Sequence, residues 1–284
     1  MSNLIEETCN KFIVDYGAAI EGMEPNNGRS IEDGVYALLK YIGRWQDETY
    51  TTIQTEIGFV VDLGDLFYCG RIDRYIDTHS FGKMPLEMKS TGLPWNWSLK
   101  GNPNLQIEGC IIGIYANTGE MPMGGVLDIL PAGNPKVKKV EPERYITFRS
   151  KQQMEIWLRN IQAWWKTLCS YREQGYWPQN TETCVPLLGY QCEYIPLCQN
   201  WPDGIINGDI PTQFIKQEWK PFDSIEGNNW IDYTKLSTFL QCPRKYYWKF
   251  EANLSSPASV AMLMGGCLHD ALAFYYNKKM VNEC

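Results

Sequence analysis

Two short segments carry charges where a strand usually carries apolar side chains. The first reads Gly70-Arg71-Ile72-Asp73-Arg74-Tyr75, the second Pro85-Leu86-Glu87-Met88-Lys89-Ser90-Thr91. Side chains alternate faces along a strand, so Glu87 and Lys89 point one way and Met88 the other. Asp73 reaches the same spot if the first segment pairs alongside. Two carboxylates held close repel, and both stay ionised only beside a compensating cation. Oxygen ligands suit Mg²⁺ or Mn²⁺. Such a cation activates a water and stabilises charge on a phosphate oxygen. Lys89 then orients that water or neutralises the developing negative charge. By itself Glu-x-Lys is also what an ordinary exposed strand carries, so the pattern gains meaning only from its surroundings.

A second group with chemistry is Cys184, Cys192 and Cys198, spaced C-x7-C-x5-C within the loop Pro178–Trp201. Thiolates select zinc or iron–sulfur clusters. Three ligands are one short of a closed site. Of the 10 cysteines, Cys9, Cys69, Cys110, Cys169, Cys267 and Cys284 form no ligand pattern.

The elements that must position these residues can be read from periodicity. Residues 31–48 read as an amphipathic helix. Thr55–Leu63, Leu66–Asp77 and Met84–Ser90 read as strands, and the short break at Leu63-Gly64-Asp65 makes the first two antiparallel neighbours. A loop, Thr91–Asn104, leads to a helix over Leu105–Ala116. Gly124–Leu130 and Tyr145–Arg149 read as further strands, and Ser150–Gln174 as a long helix stopped by Gly175. After the cysteine loop, 202–229 reads as a linker, and Thr234–Glu251 and Val260–Lys278 as two final helices. The expected class is α+β: a small, mixed, mostly antiparallel sheet flanked by helices.

With these elements in place the chain resembles a known family. Gly-Arg-Ile-Asp followed by Glu-Met-Lys-Ser-Thr looks like motifs II and III of the PD-(D/E)XK nuclease superfamily, in its RecB-like branch. That branch includes CRISPR-associated RecB-like exonucleases, AddB-type nucleases and many phage exonucleases. The family's next motif, Gln-x-x-x-Tyr, is matched at Gln106, with Cys110 where the tyrosine belongs. Its remaining motifs are found as Leu236-Ser237-Thr238-Phe239, Cys242-Pro243-Arg244 and Gly265-Gly266-Cys267-Leu268-His269. The resemblance implies a restriction-endonuclease-like core, with Asp73, Glu87 and His269 as ligands of Mg²⁺ or Mn²⁺. It also implies Asp73, Glu87, Lys89 and Gln106 as the catalytic set for phosphodiester hydrolysis. In the iron–sulfur branch the cysteine of Cys-Pro-Arg is the fourth cluster ligand. Cys184, Cys192, Cys198 and Cys242 would therefore hold a structural [4Fe–4S] cluster, with zinc as the alternative.

In relatives the Cys-Pro-Arg and histidine segments precede the strands; here they follow them. A circular permutation accounts for the order, since closely placed termini tolerate it. Residues 1–201 would be the nuclease core with its cysteine loop, 202–229 the new connection, and 230–284 the transposed helices completing the same domain. A truncated second domain and a swap with a neighbouring chain are the alternatives. Permutation requires His269 near Asp73 and Glu87.

Trp95 and Trp97 beside Lys100 have the composition of a base-stacking loop. Lys136, Lys138, Lys139, Arg144, Arg149 and Lys151, and separately Arg244, Lys245 and Lys249, are basic stretches suited to a phosphate backbone. The expected partner is DNA, single-stranded or at its ends, with a homo-oligomer or a recombination or replication partner protein as a further possibility. A catalytically inactive DNA-binding or assembly module is the competing reading.

Bulk properties narrow the classes. The 284 residues allow one large or two small domains. Hydrophobic residues are 44% and charged residues 21%, an ordinary globular balance able to bury a core without disulfides. The formal charge of −7 argues for a local basic groove rather than a nucleic-acid-coating surface. No apolar run reaches the roughly 18 residues of a membrane span, and Met1–Ser30 has no signal-peptide core. A cytoplasmic protein of a bacterial or phage-infected cell, with reduced or metal-bound cysteines, is expected.

Overall fold

The computed structural model describes every residue except 1, 26–27, 95–97, 186–190, 221–226, 228 and 284. It opens with a helix that periodicity did not reveal, α1 (Ser2–Ala19). Ser30 then starts α2 (Ile31–Trp45) through a capping box: its hydroxyl accepts from the Asp33 amide while the Asp33 carboxylate accepts from the Ser30 amide. Strands β1 (Thr51–Asp62), β2 (Phe67–Asp77) and β3 (Lys83–Thr91) follow. Next come α3 (Leu105–Thr118), β4 (Gly124–Pro131), β5 (Glu143–Phe148) and the long α4 (Lys151–Gln174). The remainder is α5 (Ile195–Asn200), β6 (Ile215–Lys216), β7 (Trp230–Ile231), α6 (Tyr233–Gln241), α7 (Pro243–Tyr246), β8 (Leu254–Ser255) and α8 (Val260–Glu283).

The fold is α+β with a mixed, mostly antiparallel sheet flanked by helices. The strand order is β1-β2-β3-β4-β5, with β7 also pairing with β2. β2 and β3 are antiparallel in the register Arg74↔Leu86 to Asp77↔Lys83. β3 and β4 are parallel, joined by the α3 crossover that parallel neighbours require. β4 and β5 are antiparallel, with Asp128 opposite Arg144.

The chain divides into two compact units: residues 1–59, 71–154 and 258–284 in the first, 60–70 and 155–257 in the second. Residues 230–284, read from sequence as one transposed block, are thus shared between the units, 230–257 in the second and 258–284 in the first.

In the first unit, α1, α2 and α8 close over one sheet face. Phe12, Tyr16, Leu38, Tyr41, Leu268 and Leu272 form a buried cluster with Met88 and Leu130. The other face of β3 turns toward α3. A polar network is built into this unit. Asp128, fully buried, accepts from Arg144 Nε at 2.9 Å and from the Tyr41 hydroxyl. Arg144 also pairs with Glu48, which Arg74 Nη2 reaches at 3.2 Å. Arg74 lies 3.3 Å over the Tyr276 ring.

In the second unit, Tyr194, Leu197, Trp201, Phe214, Trp248 and Leu254 form the buried cluster beside the β6–β8 pair. The single helix expected over Thr234–Glu251 is broken. Cys242 adopts an extended backbone (φ −163°, ψ 114°), and Pro243 begins α7, which continues as one π-helical turn, Tyr247–Glu251. Proline clashes with an α-helical predecessor and lacks an N–H, so the residue before it is driven out of the helix. Among the described residues, no helix is long and apolar enough to cross a membrane.

Candidate active site and cysteine set

Four of the five residues expected to do chemistry lie on or beside β2 and β3, in the first unit. The register between these strands ends at Arg74↔Leu86, and just beyond it Asp73 turns its carboxylate between them. Its Oδ2 accepts from the Met88 amide at 2.7 Å, replacing the missing ladder bond. Glu87 is only 3% exposed. Its Oε1 accepts from Lys89 Nζ at 2.8 Å and from Gln106 Nε2. Gln106 closes the ring by accepting from Lys89 Nζ at 2.7 Å through Oε1. Cys110, one helical turn beyond Gln106, directs its thiol at Glu87 Oε2 from 3.8 Å. Cys110 thus faces the same carboxylate as Gln106.

The fifth residue comes from the far end of the chain. His269, on α8, places Nδ1 3.8 Å from Asp73 Oδ2. Burial works to raise the Asp73 carboxyl, but His269 and Lys89 outweigh it and hold it below the usual carboxylate range. The reciprocal contact raises the His269 imidazole despite burial. Glu87 differs: burial first, and the Asp73 charge second, push its carboxyl up to about 7. The two acids are therefore split, one firmly ionised and one near its titration point at neutral pH.

The start of α3 is held rigidly. The Asn104 side chain accepts from the Gln106 and Ile107 amides at 3.1 and 3.0 Å. Glu108 accepts from the Asn104 amide and pairs with buried Arg149 at 2.8 Å. Arg149 also donates to Gly101 O and to Thr147 Oγ1, both at 2.6 Å. This clamp fixes Gln106, and it was not anticipated from sequence. Glu56 was also missed. It has φ 51°, pairs with Arg71 at 3.4 Å, and lines a cavity of about 10 Å³ with Asp73, Arg74 and His269. Burial alternates regularly through it, with Thr55, Ile57 and Phe59 buried, so nothing in the sequence pattern of β1 singles Glu56 out.

Arg244 is a correction. Expected at a DNA surface, it is 1% exposed and donates to the carbonyls of Trp177 and Pro202, both at 2.8 Å. Its guanidinium is taken up by loop carbonyls rather than presented at a surface. Arg144 and Arg149 likewise serve buried ion pairs. Lys100 is exposed. Trp95 and Trp97 lie outside the described residues.

In the second unit Cys192 and Cys242 each lie near both Cys184 and Cys198. Cys184 senses Cys192 and Cys242, and Cys198 senses Cys242 and Cys192; burial first, then these neighbours, raise the thiols of Cys184 and Cys198. Two N–H groups point at sulfur: Asn180 N donates to Cys242 Sγ at 3.4 Å and Trp248 Nε1 to Cys198 Sγ at 3.3 Å. The extended backbone at Cys242 turns its sulfur toward the 180–184 loop. None of the four is in a disulfide. As these side chains stand, no three His, Cys, Asp or Glu among the described residues form a group that could hold a metal ion, here or around Asp73. No family model matches this chain, and no curated protein matches it.

Proposed function

We propose that the protein is a metal-dependent DNA nuclease with a circularly permuted PD-(D/E)XK core, hydrolysing phosphodiester bonds at DNA ends or in single strands. The observation that carries this reading is the meeting of His269 with Asp73 at 3.8 Å, although they lie at opposite ends of the motif order. A permuted active site requires that meeting; a truncated second domain does not.

The donor set is two carboxylates and an imidazole, which suits Mg²⁺ or Mn²⁺. Burial first and the neighbouring Asp73 charge second raise the Glu87 carboxyl, and a divalent cation beside both would favour its ionised form. Asp73, Glu87 and His269 would hold the ion after small side-chain rotations. When bound, it supplies an activated water and charge stabilisation at the phosphate. His269 keeps Asp73 ionised. Lys89, held by Glu87 and Gln106, presents its ammonium where negative charge develops. Gln106 in turn is held by the α3 clamp.

Cys184, Cys192, Cys198 and Cys242 would hold a structural [4Fe–4S] cluster, or zinc. Two N–H donors on sulfur suit a thiolate cluster, whose ligands carry negative charge. It would staple the 184–198 loop to the start of α7.

The test is digestion of end-labelled single-stranded DNA with Mn²⁺ or Mg²⁺ by anaerobically purified protein, beside Glu87→Ala. Metal-dependent degradation abolished by the substitution is expected. No degradation by a folded, cluster-bearing protein would favour the binding or assembly module instead.

A further inference from the structure

One cleft in the first unit is used by none of the residues above. It has a volume of about 80 Å³ and runs between the end of β3 and the first turns of α8. Its walls include Ser90, Gly92, Gly133, Ala261 and Gly265, with Arg29 beside them. Met264 and Leu268 close its apolar side, and small residues leave the backbone of the rest exposed to it. At Gly265 a Cβ would come within 3.0 Å of Ser90 Oγ, so glycine lets α8 approach β3 here.

The one charged side chain lining the cleft is Arg29, and no carboxylate does so among the described residues. Its backbone is pinned: the buried Tyr16 hydroxyl donates to Arg29 O at 2.7 Å, and Ser30 next to it caps α2. Its Nε is buried without a hydrogen-bond partner among the described residues. A guanidinium N–H left unsatisfied in a buried place is destabilising unless something accepts from it. The Ser90 hydroxyl lies on the same cleft as a second donor. A guanidinium with a hydroxyl and little else polar is the donor pattern of an oxyanion site.

Its place gives the occupant. Ser90 follows Lys89 on β3 with its side chain on the opposite face, toward α8, and Gly265 precedes His269 by four residues, about 6 Å along that helix. The cleft is thus built on β3 and α8, the elements that also carry Glu87, Lys89 and His269. We propose that this cleft seats a backbone phosphate of the nucleic-acid strand adjacent to the one being hydrolysed, with Arg29 as its charged donor. The proposal rests on the nuclease reading for its occupant, while the oxyanion chemistry stands on the cleft itself.

Two binding measurements test it, both without added divalent cation so that nothing is cut. The first is inorganic phosphate binding followed by ³¹P NMR; the second is anisotropy of a fluorescent single-stranded oligonucleotide over a salt series. Arg29→Ala should weaken phosphate binding at least tenfold and reduce the salt slope for the oligonucleotide by about 1. Arg29→Lys should fall between, keeping the charge and losing the planar fork. Ala261→Leu fills the cleft from an exposed helix position with Arg29 intact, and should reproduce the loss if Arg29→Ala folds poorly. Phosphate bound equally by wild type and both variants, or not bound by wild type, overturns the cleft, whatever the digestion assay shows. Arg29-dependent phosphate binding without oligonucleotide binding overturns the nucleic-acid occupant and weakens the nuclease reading with it.

Discussion

Replacing Glu87 by glutamine should make the metal-free protein more stable at alkaline pH. The carboxyl ordinarily titrates at 4.5 and is pushed up to about 7 in the folded chain. An unfolded chain therefore releases this proton before the folded one does. Stability falls as pH rises from 4.5 through 7, the full loss is present above 7, and none is present well below 4.5. Such a displacement is worth on the order of 3 kcal/mol. Glutamine keeps the shape and can still accept from Lys89, but gives up a charge-assisted bond, so roughly 1–3 kcal/mol of gain should survive. For a unit of this size that is an increase in Tm of roughly 2–12 °C. The assay is thermal unfolding of wild type and Glu87→Gln with chelator at pH 8.5 and pH 5. The gain should be present at pH 8.5 and mostly gone at pH 5. Added Mn²⁺ should then stabilise wild type and not the variant, reversing their order. A variant less stable than wild type at pH 8.5, or a gain unchanged between the two pH values, would refute the electrostatic account of the site.

Glu108→Ala leaves Arg149 buried without its carboxylate and should cost about 3–5 kcal/mol in urea unfolding, with Glu108→Gln less damaging. Lys235, whose amine burial pushes down to about 8, should make stability rise between about pH 8 and 10.5, because the unfolded chain keeps the proton longer. Lys235→Met should flatten that rise and be the more stable below pH 8, as urea melts across the range would show. Cys242→Ser should remove the metal content of anaerobically purified protein and lower its Tm, while Cys169→Ser should leave both unchanged, by elemental analysis beside thermal melts.

What could be read in advance followed physical simplicity. The three strands, α3 and α4 have clear periods, and the charges on β2 and β3 stood out because strands rarely carry them. α1 was missed because Ile13 and Val14 are 39% and 66% exposed, which smears its apolar stripe. The break at Cys242 is readable from Pro243, which drives its predecessor out of the helix. Arg244 looked like a surface charge because the carbonyls that bind it belong to residues 42 and 67 positions away. The ring of Glu87, Lys89 and Gln106 was legible as a motif. Its clamp through Glu108 and Arg149 was not, since a pair 41 residues apart leaves no local pattern.

The Asp128–Arg144 pair also bears on how the sheet finds its alignment. Asp128 lies opposite Arg144 in the β4–β5 ladder, with Tyr41, Glu48 and Arg74 gathered around them. β4 itself is buried at every position and so has no polar edge to say where it should stop. With both faces apolar, a slip exchanges one apolar side chain for another, so hydrophobic contact alone discriminates poorly between alignments. Here a slip of one residue turns Asp128 away from Arg144 and leaves a lone carboxylate in hydrocarbon. A slip of two separates the pair lengthwise. The charges thus act as a vernier: every alignment but one is penalised, so the hairpin's correct setting is chosen by exclusion rather than by added attraction.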